Sequence, residues 1–598
     1  MHLIFRISVF LLILFTLIRC VEKDPVDNIP KPNVIMILTD DQGYGDLSLH
    51  GNDSLSTPNI DFLGTQGVQF ERFYVSPVCA PTRASLLTGR YHLRTGVYWV
   101  TRGAENMNPE EKTIAEVFRE NGYRTGCFGK WHNGAHYPYT PRAQGFDEFT
   151  GFEAGHWSNY FNTDLDHNGD TLKTSGYITD VLTDQALEFI GKNQDDPFFC
   201  YIPYNAPHTP YQVPDEYFNR LVEKLHISDS ITNTRRATIY AMCENLDMNI
   251  GRIIKKIDET GLSERTVFVF ITDNGPNGDR FNGLMRGKKG SVHEGGVRVP
   301  CFFYWKGRIT GGNMISGLAA HIDILPTLVS LCGLSFTPER PLDGIDLSRF
   351  LLSGSDVTIP ARRIFNHQNQ GTGLKKFPGA IRDPEYRFVV TGENRYSLFD
   401  MVNDPGEKVD ISGEHVELSR QLYTDYMEWF REVTENLSTV RIIPVGYRES
   451  PVTYLPAHEA VINDGLTYKA NVNGWAHDWI VNWDQPGDTL SWNISVTEPG
   501  DYEFVIQYDT PEQNTGSVLA ISAGDQSIRH ELSGFHHSDT LPHHDRLVRV
   551  VEAFEKEWGY ESLGKLRLEK GTTRVRLSAP VIKSGEVAEV KGLFVKKL

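Results

Sequence analysis

A cysteine stands between an apolar run and a helix-like run in the stretch SPVCAPTRASLLTGRY. Cys79 follows the strand-like run 68–75 and precedes the helix-like run 83–87. Amide dipoles at a helix N-terminus favour negative charge, and Arg83 can fold back to hold an anion near Cys79. Pro81 suits the first helical turn. The residues alone leave two interpretations open: a reactive site, or a buried cysteine beside an ordinary helix start.

Acidic side chains follow two further apolar runs. Asp40 and Asp41 come directly after the run 33–39, and Asp273 and Asn274 follow the later run TVFVFIT. Paired carboxylates at the end of a core strand are costly unless opposite charge offsets their repulsion. A hard divalent cation with oxygen ligands does this, so we expect a cation site. The alternative for the first pair is a solvated acidic turn.

Lysine and histidine side chains also follow strand-like runs. Lys130 and His132 close the stretch YRTGCFGKWH, and two residues apart on an extended segment they would face one anion. His208 follows the apolar run 197–203, where open α/β sheets place their sites. Taken singly, Lys130 could be a surface lysine, His132 a structural histidine and His208 a solvated loop histidine.

Alternating strand-like and helical runs from residue 33 to about 335 predict an α/β sheet with helices on both faces. From 360 to 437 the pattern changes to short antiparallel strands and a closing amphipathic helix at 412–433. Beyond residue 441, β alternation at short spacing predicts a sandwich, with strands expected at 475–483, 488–496, 500–508, 517–522, 572–578 and 589–595.

The segment Cys79-Ala-Pro-Thr-Arg83 resembles the signature of the type I sulfatases of the alkaline-phosphatase-like superfamily. The stretch 122–132 resembles a second family block, and Arg286 to Gly290 ahead of Glu294-Gly-Gly resembles a third. The resemblance covers about residues 31–437. It implies a mixed, mostly parallel sheet between helices and a small antiparallel C-terminal subdomain, which we expect to form one wall of the cleft.

The resemblance also implies a cofactor set. Cys79 would be converted to formylglycine by a separate formylglycine-generating enzyme, and its hydrate would attack sulfur. An all-protein oxygen cage suits Ca²⁺ better than Mg²⁺. The implied metal ligands are Asp40, Asp41, Asp273, Asn274 and the modified Cys79.

Family roles for the other residues follow from the same motifs. Positive charge near the sulfuryl oxygens would come from Arg83, Lys130 and Lys289. His132 would hold the other hydroxyl of the formylglycine hydrate and take its proton when the sulfated intermediate collapses back to the aldehyde. His208 is the implied general acid, with Lys289 the competing candidate, and His156 is an expected substrate contact.

The net charge and the N-terminal sequence limit the expected location and binding partners of the protein. A net charge of −18 argues against nucleic-acid binding and against a polybasic membrane surface. Arg6 precedes an apolar run at 7–18 that is too short to span a bilayer and suits an export signal. Cys20 faintly resembles a lipoprotein cleavage position, so a lipid anchor there is the alternative to a plain cleaved signal. We expect an exported protein: periplasmic, outer-membrane-anchored or secreted.

The expected organisation is a signal at 1–20, a catalytic domain at 31–358, its C-terminal subdomain at 359–440 and a β-sandwich at 441–598. Trp475 to Trp483 and the Pro-Gly-Asp-Tyr stretch resemble jelly-roll carbohydrate-binding modules; a structural sandwich with core tryptophans is the alternative. The expected function is hydrolysis of sulfate esters on a polysaccharide or its oligosaccharides. The competing hypotheses are a phosphomonoester or phosphonate-ester hydrolase of the same superfamily and a non-catalytic carbohydrate-binding protein.

Overall fold

The computed structural model describes residues 31–226, 230–354, 358–371, 373–470 and 474–598. The predicted export signal and Cys20 lie outside these residues. Within them, no helix combines the length and the apolar character needed to cross a bilayer.

A large mixed sheet forms the centre of the first half of the chain. Its strands run in the order β11-β2-β10-β8-β1-β7-β3-β4-β5-β6, and β9 pairs with β2. β1 lies between β7 and β8 and is parallel to both, whereas β10 is antiparallel to β8. The predicted α/β fold with a mixed sheet is therefore confirmed. The strands are β1 (Asn33–Thr39), β2 (Val68–Tyr74), β3 (Arg124–Lys130), β4 (Glu148–Phe152), β5 (Asp164–His167), β6 (Asp170–Lys173), β7 (Phe198–Pro203), β8 (Thr266–Thr272), β9 (Arg298–Val299), β10 (Cys301–Trp305) and β11 (Asn313–Ala320).

Helices cover both faces of this sheet. Val34, Met36 and Leu38 of β1 enter one hydrophobic cluster, and Ile35 and Ile37 enter the cluster on the opposite face. Burial on both faces explains why the strand is a continuous apolar run. The helices of the described residues are α1 (Pro58–Gln66), α2 (Cys79–Thr88), α3 (Ile114–Glu120), α4 (Ile178–Lys192), α5 (Asp215–Lys224), α6 (Ile231–Glu259), α7 (Glu294–Val297), α8 (Ile324–Leu331), α9 (Ser348–Leu352) and α10 (Val416–Val433).

A small antiparallel sheet with α10 follows the large sheet. Its strands are β12 (Ile364–His367), β13 (Gly379–Arg382), β14 (Tyr386–Gly392) and β15 (Arg395–Asp400). Arg387 Nη2 donates to Glu294 Oε2 at 2.6 Å, and the Tyr74 hydroxyl donates to Glu294 Oε1 at 2.9 Å. Burial raises the pKa of Glu294, but Arg387 and its neighbours outweigh that effect and lower it to about 2. This buried ion pair fixes the small sheet against the N-terminus of α7, which begins at Glu294.

The C-terminal region forms two further sheets that share one hydrophobic cluster. Trp479, Trp483 and Trp492 are all buried, as expected of core tryptophans. The strand predicted at 475–483 is wrong apart from Ile480–Val481, because His477 and Asn482 adopt positive φ angles of 67° and 64° that interrupt an extended backbone. The strands are β16 (Ile443–Val445), β17 (Val452–Pro456), β18 (Val461–Ile462), β19 (Thr467–Tyr468), β20 (Ile480–Val481), β21 (Thr489–Val496), β22 (Gly500–Asp509), β23 (Val518–Ala523), β24 (Gln526–Glu531), β25 (Gly559–Leu568), β26 (Gly571–Val581) and β27 (Glu589–Lys597).

Candidate active site

Four oxygen-bearing residues meet where β1 and β8 end. The two strands are in parallel register, with Thr39 opposite Thr272, so the residues that follow each strand become neighbours. The backbone N–H of Asp41 donates to Asp273 Oδ1 at 3.1 Å, and Asn274 Nδ2 donates to Asp41 Oδ1 at 2.9 Å. We call Asp40, Asp41, Asp273 and Asn274 the oxygen cluster.

The oxygen cluster is buried, and several of its oxygens lack a partner. Asp40 Oδ1, Asp41 Oδ2 and Asn274 Oδ1 accept no hydrogen bond among the described residues. Ligand atoms of Asp40, Asp41 and His208 lie within 4.8 Å of one another, as do those of Asp40, Cys79 and Asp273. Orphaned buried oxygens are costly, and a hard cation such as Ca²⁺ takes such donors. The donor set therefore fits the predicted metal.

Two buried cations balance the negative charge of the cluster. Lys130 Nζ lies 2.5 Å from Asp40 Oδ2, and Arg83 Nη2 donates to Asp273 Oδ2 at 3.0 Å. Burial raises the pKa of Asp40, but Lys130 and the other cations outweigh it and hold that pKa well below its usual range. Burial and the neighbouring Asp40 raise the pKa of Asp273 to about 7. A cation bound here would favour the ionised form of Asp273.

Arg83 acts as a brace within this arrangement. Its Nη1 donates to the backbone carbonyl of Lys130 at 2.6 Å, and its Nη2 lies 3.4 Å from Asp40 Oδ2. Burial lowers the pKa of Arg83, but Asp273 and Asp40 raise it above the ordinary value, so the guanidinium stays charged. The guanidinium thus joins the end of β3 to the oxygen cluster.

Cys79 is the first residue of α2 and is 3% exposed. Burial raises the pKa of its thiol, an effect larger than the opposing influence of Lys130 and Lys289. The unmodified side chain is therefore a neutral thiol and a poor nucleophile. This environment does not produce the anionic cysteine of a thiolate enzyme.

His208 and Lys289 lie beside Asp41. Lys289 Nζ contacts Asp41 Oδ1 at 2.7 Å, and His208 Nε2 is 3.8 Å from Asp41 Oδ2. Burial and then Lys289 lower the pKa of His208, whereas Asp41 opposes them. Burial lowers the pKa of Lys289, but Asp41 raises it above its ordinary value. Lys288 turns outward to Asp279 instead, at 2.8 Å, so Lys289 is the lysine at the site.

His132 reaches the site by a different route from the one predicted. β3 ends at Lys130, and His132 has a φ of 60°, so the expected extended segment is wrong and the two side chains do not owe their direction to strand alternation. His132 Nε2 lies 2.8 Å from the carbonyl of Val100, which can only accept, so Nε2 carries the proton. Nδ1 is buried without a partner among the described residues and is left as the free acceptor.

A cavity of about 430 Å³, which we call the Cys79 cavity, brings five predicted residues together. Cys79, His132, His156, His208 and Lys289 all line it. Asp40, Asp41, Arg83, Lys130, Asp273 and Asn274 lie behind this surface, bonded to one another or to lining residues.

The prediction that the C-terminal subdomain forms one wall of the cleft is wrong. Among the described residues, the lining of the Cys79 cavity includes no residue from 359–440. Trp475, Ala476 and residues 547–552 line it instead. The second group lies in the long connection between β24 and β25, which has no strand pattern or motif, and nothing in the sequence marked it as part of the site.

Comparisons with known proteins place this site in context. A sequence model of the sulfatase family matches residues 32–334, about half of the chain. Arylsulfatase A of Homo sapiens is 34% identical over 448 residues, which cover 64% of this chain and 83% of that protein. N-acetylgalactosamine-6-sulfatase of Canis lupus familiaris is 32% identical over 365 residues, which cover 55% of this chain and 67% of that protein.

A solved structure is similar over a comparable length. The crystal structure of Ps i-CgsB in complex with k-i-k-neocarrahexaose aligns with a TM-score of 0.62 and 30% sequence identity. The alignment covers 69% of this chain and 95% of that one. About a third of the present chain therefore has no counterpart in that structure.

Proposed function

The chain belongs to the sulfatase family and is a sulfuric ester hydrolase, and we propose that it removes sulfate from sulfated saccharides. In this proposal Cys79 is converted to formylglycine and the oxygen cluster binds Ca²⁺. One observation carries it: Cys79, His132, His208 and Lys289 open on one cavity, directly in front of a buried oxygen cluster with orphaned acceptors.

Formylglycine supplies what the neutral thiol lacks. Its hydrate would provide the hydroxyl that attacks sulfur, and oxidation of the cysteine requires the maturation enzyme. The raised pKa of the Cys79 thiol supports this part of the proposal, because the unmodified side chain would be largely protonated near neutral pH.

Asp40, Asp41, Asp273 and Asn274 would hold the metal together with position 79. The ion would lower the pKa of the attacking hydroxyl and clamp a sulfate oxygen. Arg83 and Lys130 hold the carboxylates in place through the contacts described above. Lys289, the lysine that reaches the cavity, is placed to neutralise charge on the sulfuryl oxygens.

Two histidines divide the proton transfers. His132 Nδ1, the free acceptor, takes the proton of the second hydroxyl at position 79 when sulfate is released. His208 gives a proton to the leaving oxygen. Burial and Lys289 lower its pKa, and the negative charge of a sulfate ester would favour the imidazolium. Lys289 is the competing donor.

The substrate class rests on the relatives and on the cavity. N-acetylgalactosamine-6-sulfatase carries a sugar in its name, and the similar structure was solved with neocarrahexaose. His156 lines the Cys79 cavity with an unpartnered buried Nε2, which suits a contact to a sugar hydroxyl. Export, with or without lipidation of Cys20, is part of the proposal, because Arg6 and the apolar run at 7–18 suit an export signal.

Release of inorganic sulfate tests the proposal. Enzyme co-expressed with a formylglycine-generating enzyme is incubated with N-acetylgalactosamine 6-sulfate, carrageenan hexasaccharide and p-nitrophenyl sulfate, with p-nitrophenyl phosphate as the competing ester. We expect sulfate release that Cys79→Ala abolishes and that chelation of Ca²⁺ reduces. Faster hydrolysis of the phosphate than of every sulfate would overturn it.

A further inference from the structure

The Cys79 cavity is built by two parts of the chain. The catalytic residues come from the large sheet and its connections, whereas Trp475, Ala476 and residues 547–552 come from the C-terminal β region. We call residues 547–552 the covering segment. It lies within the connection from Glu531, the end of β24, to Gly559, the start of β25.

Buried polar contacts fix the covering segment to the catalytic part. Arg549 donates to the backbone carbonyl of Ser158 through Nη2 and to Asp545 Oδ2 through Nε at 2.7 Å. Gln212 Nε2 donates to Asp545 Oδ1 at 2.7 Å. The Arg549 and Asp545 side chains are only 4% and 3% exposed. A buried charge pair of this kind is costly to break, so these contacts hold the connection against the catalytic part.

A second set of contacts lies beside the proposed general acid. The backbone N–H of Arg546 donates to the Tyr211 carbonyl at 2.9 Å. The Thr209 hydroxyl donates to Glu552 Oε1, and Thr209 directly follows His208. The covering segment and the residue before it are thus held against Thr209 and Tyr211, which follow His208 in the same loop.

The covering segment presents apolar side chains between these anchors. Val548 and Val550 are 90% and 81% exposed, and both line the Cys79 cavity. Valines with so little burial contribute little to the stability of the fold. Their position makes them one apolar face of the opening above the catalytic residues.

Two tryptophans add an aromatic surface from both parts of the chain. Trp99, from the catalytic part, and Trp475, from the C-terminal region, line the same cavity with ring centroids 6.4 Å apart. Both are half-buried, unlike the core residues Trp479 and Trp483. Aromatic side chains carry a large apolar surface, so a half-buried indole that lines a cavity can pack against the apolar face of a pyranose ring.

A polar group completes this wall. His156 is 6% exposed, and its Nε2 has no hydrogen-bond partner among the described residues. Its backbone carbonyl accepts from His477 Nε2 of the C-terminal region at 3.1 Å. His156 can therefore meet a sugar hydroxyl while its backbone is held by the C-terminal region.

We propose that the C-terminal β region completes the substrate site, with Trp475 and Trp99 stacking on a pyranose ring of the sulfated saccharide and the covering segment closing the other side. This inference rests on the proposed function, because it names which surface binds the saccharide. The region is then part of the catalytic pocket and not a separate binding module. Trp475 sets substrate specificity without touching the reacting atoms.

Trp475→Ala tests the stacking surface in the full-length matured enzyme. We expect the KM for the better of N-acetylgalactosamine 6-sulfate and carrageenan hexasaccharide to rise about 10-fold with kcat within about twofold, since stacking contributes to binding and not to the chemical step. Trp475→Phe keeps an aromatic face and should stay within about threefold of wild type. For p-nitrophenyl sulfate, which has no sugar ring, we expect a change of less than about threefold.

Phe535→Ala is the matched control. Phe535 is 61% exposed in the same connection and does not line the Cys79 cavity, so its removal should leave both KM values unchanged. Equal losses on saccharide and aryl sulfate in Trp475→Ala, or no loss on either, would overturn the inference. So would a wild-type enzyme that hydrolyses the aryl sulfate but neither saccharide.

Val550→Asp tests the covering segment independently of stacking. A carboxylate at this exposed position should lower kcat/KM about 10-fold for every sulfate ester by repulsion, whereas the neutral isostere Val550→Asn should stay within about threefold. Equal activities for the two variants would remove the covering segment from the site. Wild-type enzyme that releases no sulfate from any ester would overturn the proposed function itself, and the inference with it.

Discussion

The two sides of the Cys79 cavity differ in chemistry and in origin. The oxygen cluster behind it is charged, fully buried and built at the ends of adjacent parallel strands. The wall formed by Trp475 and the covering segment is partly exposed, presents the apolar side chains Val548 and Val550, and is built from loops of the C-terminal region. We infer that the buried side determines the reaction and the exposed side determines which ester enters. Variants on the two sides should therefore affect different kinetic constants.

Cys79→Ala gives the largest expected effect. Removing the precursor of the nucleophile should lower kcat by about 10³-fold or more on every sulfate ester, saccharide or aryl. Burial keeps the unmodified thiol neutral, so its removal leaves no charge unpaired and the thermal midpoint should change little. Sulfate release by the variant at a wild-type rate would show that position 79 does not supply the nucleophile.

Asp41→Asn should cause the next-largest loss in kcat. The substitution keeps the shape of a proposed ligand but removes its charge, and with it the carboxylate that Lys289 contacts at 2.7 Å. We expect a loss in kcat on the order of 100-fold, equal for saccharide and aryl esters. Added Ca²⁺ should raise the thermal midpoint of the wild type but not of the variant. A calcium-dependent rise of the same size in both would remove Asp41 from the metal site.

His208→Gln should separate leaving groups by their need for a proton. A sugar hydroxyl is a poor leaving group, so we expect kcat on the saccharide to fall about 100-fold. p-Nitrophenolate leaves without a proton, and the loss on p-nitrophenyl sulfate should be about 10-fold smaller. Equal losses on both esters would assign proton donation to another group, with Lys289 as the first candidate.

Lys288→Ala and Lys289→Ala form a matched pair, and Lys288→Ala has the smallest expected effect on activity. Lys288 pairs with Asp279 at the surface, so its loss should leave kcat/KM within about twofold. Lys289 lines the cavity, and its loss should lower kcat on every sulfate by about 10-fold or more. Comparable activities for the two variants would mean that the lysine assignment is wrong.

The sequence predicted the buried side of the site but, of the wall opposite, only His156. Asp40, Asp41, Asp273 and Asn274 could be found because polar residues after continuous apolar strands must meet at the edge of a parallel sheet. His132 lines the Cys79 cavity, but the extended segment expected to place it there is wrong. Its φ is positive, and the sequence pattern does not distinguish such a residue from one in a strand. Local hydrophobic patterns predict strands, and they predicted the two strands that end at the oxygen cluster.

The exposed side depends on contacts between distant parts of the chain. Arg549 meets Ser158 across 391 positions, and the connection that carries Arg549 has no periodicity from which such docking can be inferred. Trp475 belonged to a stretch with strand-like alternation, but positive φ angles at His477 and Asn482 interrupt that strand, and Trp475 lines the cavity. Composition and spacing do not encode which loop covers a pocket, and the three-dimensional arrangement does.

Mass spectrometry of the tryptic peptide 73–83, combined with activity of the same preparation, tests the central claim most directly. Protein co-expressed with a formylglycine-generating enzyme is compared with protein made without it. We predict the mass of an aldehyde in place of the Cys79 thiol, and sulfate release in proportion to the converted fraction. Unconverted protein that releases sulfate at the same rate as converted protein would contradict the account.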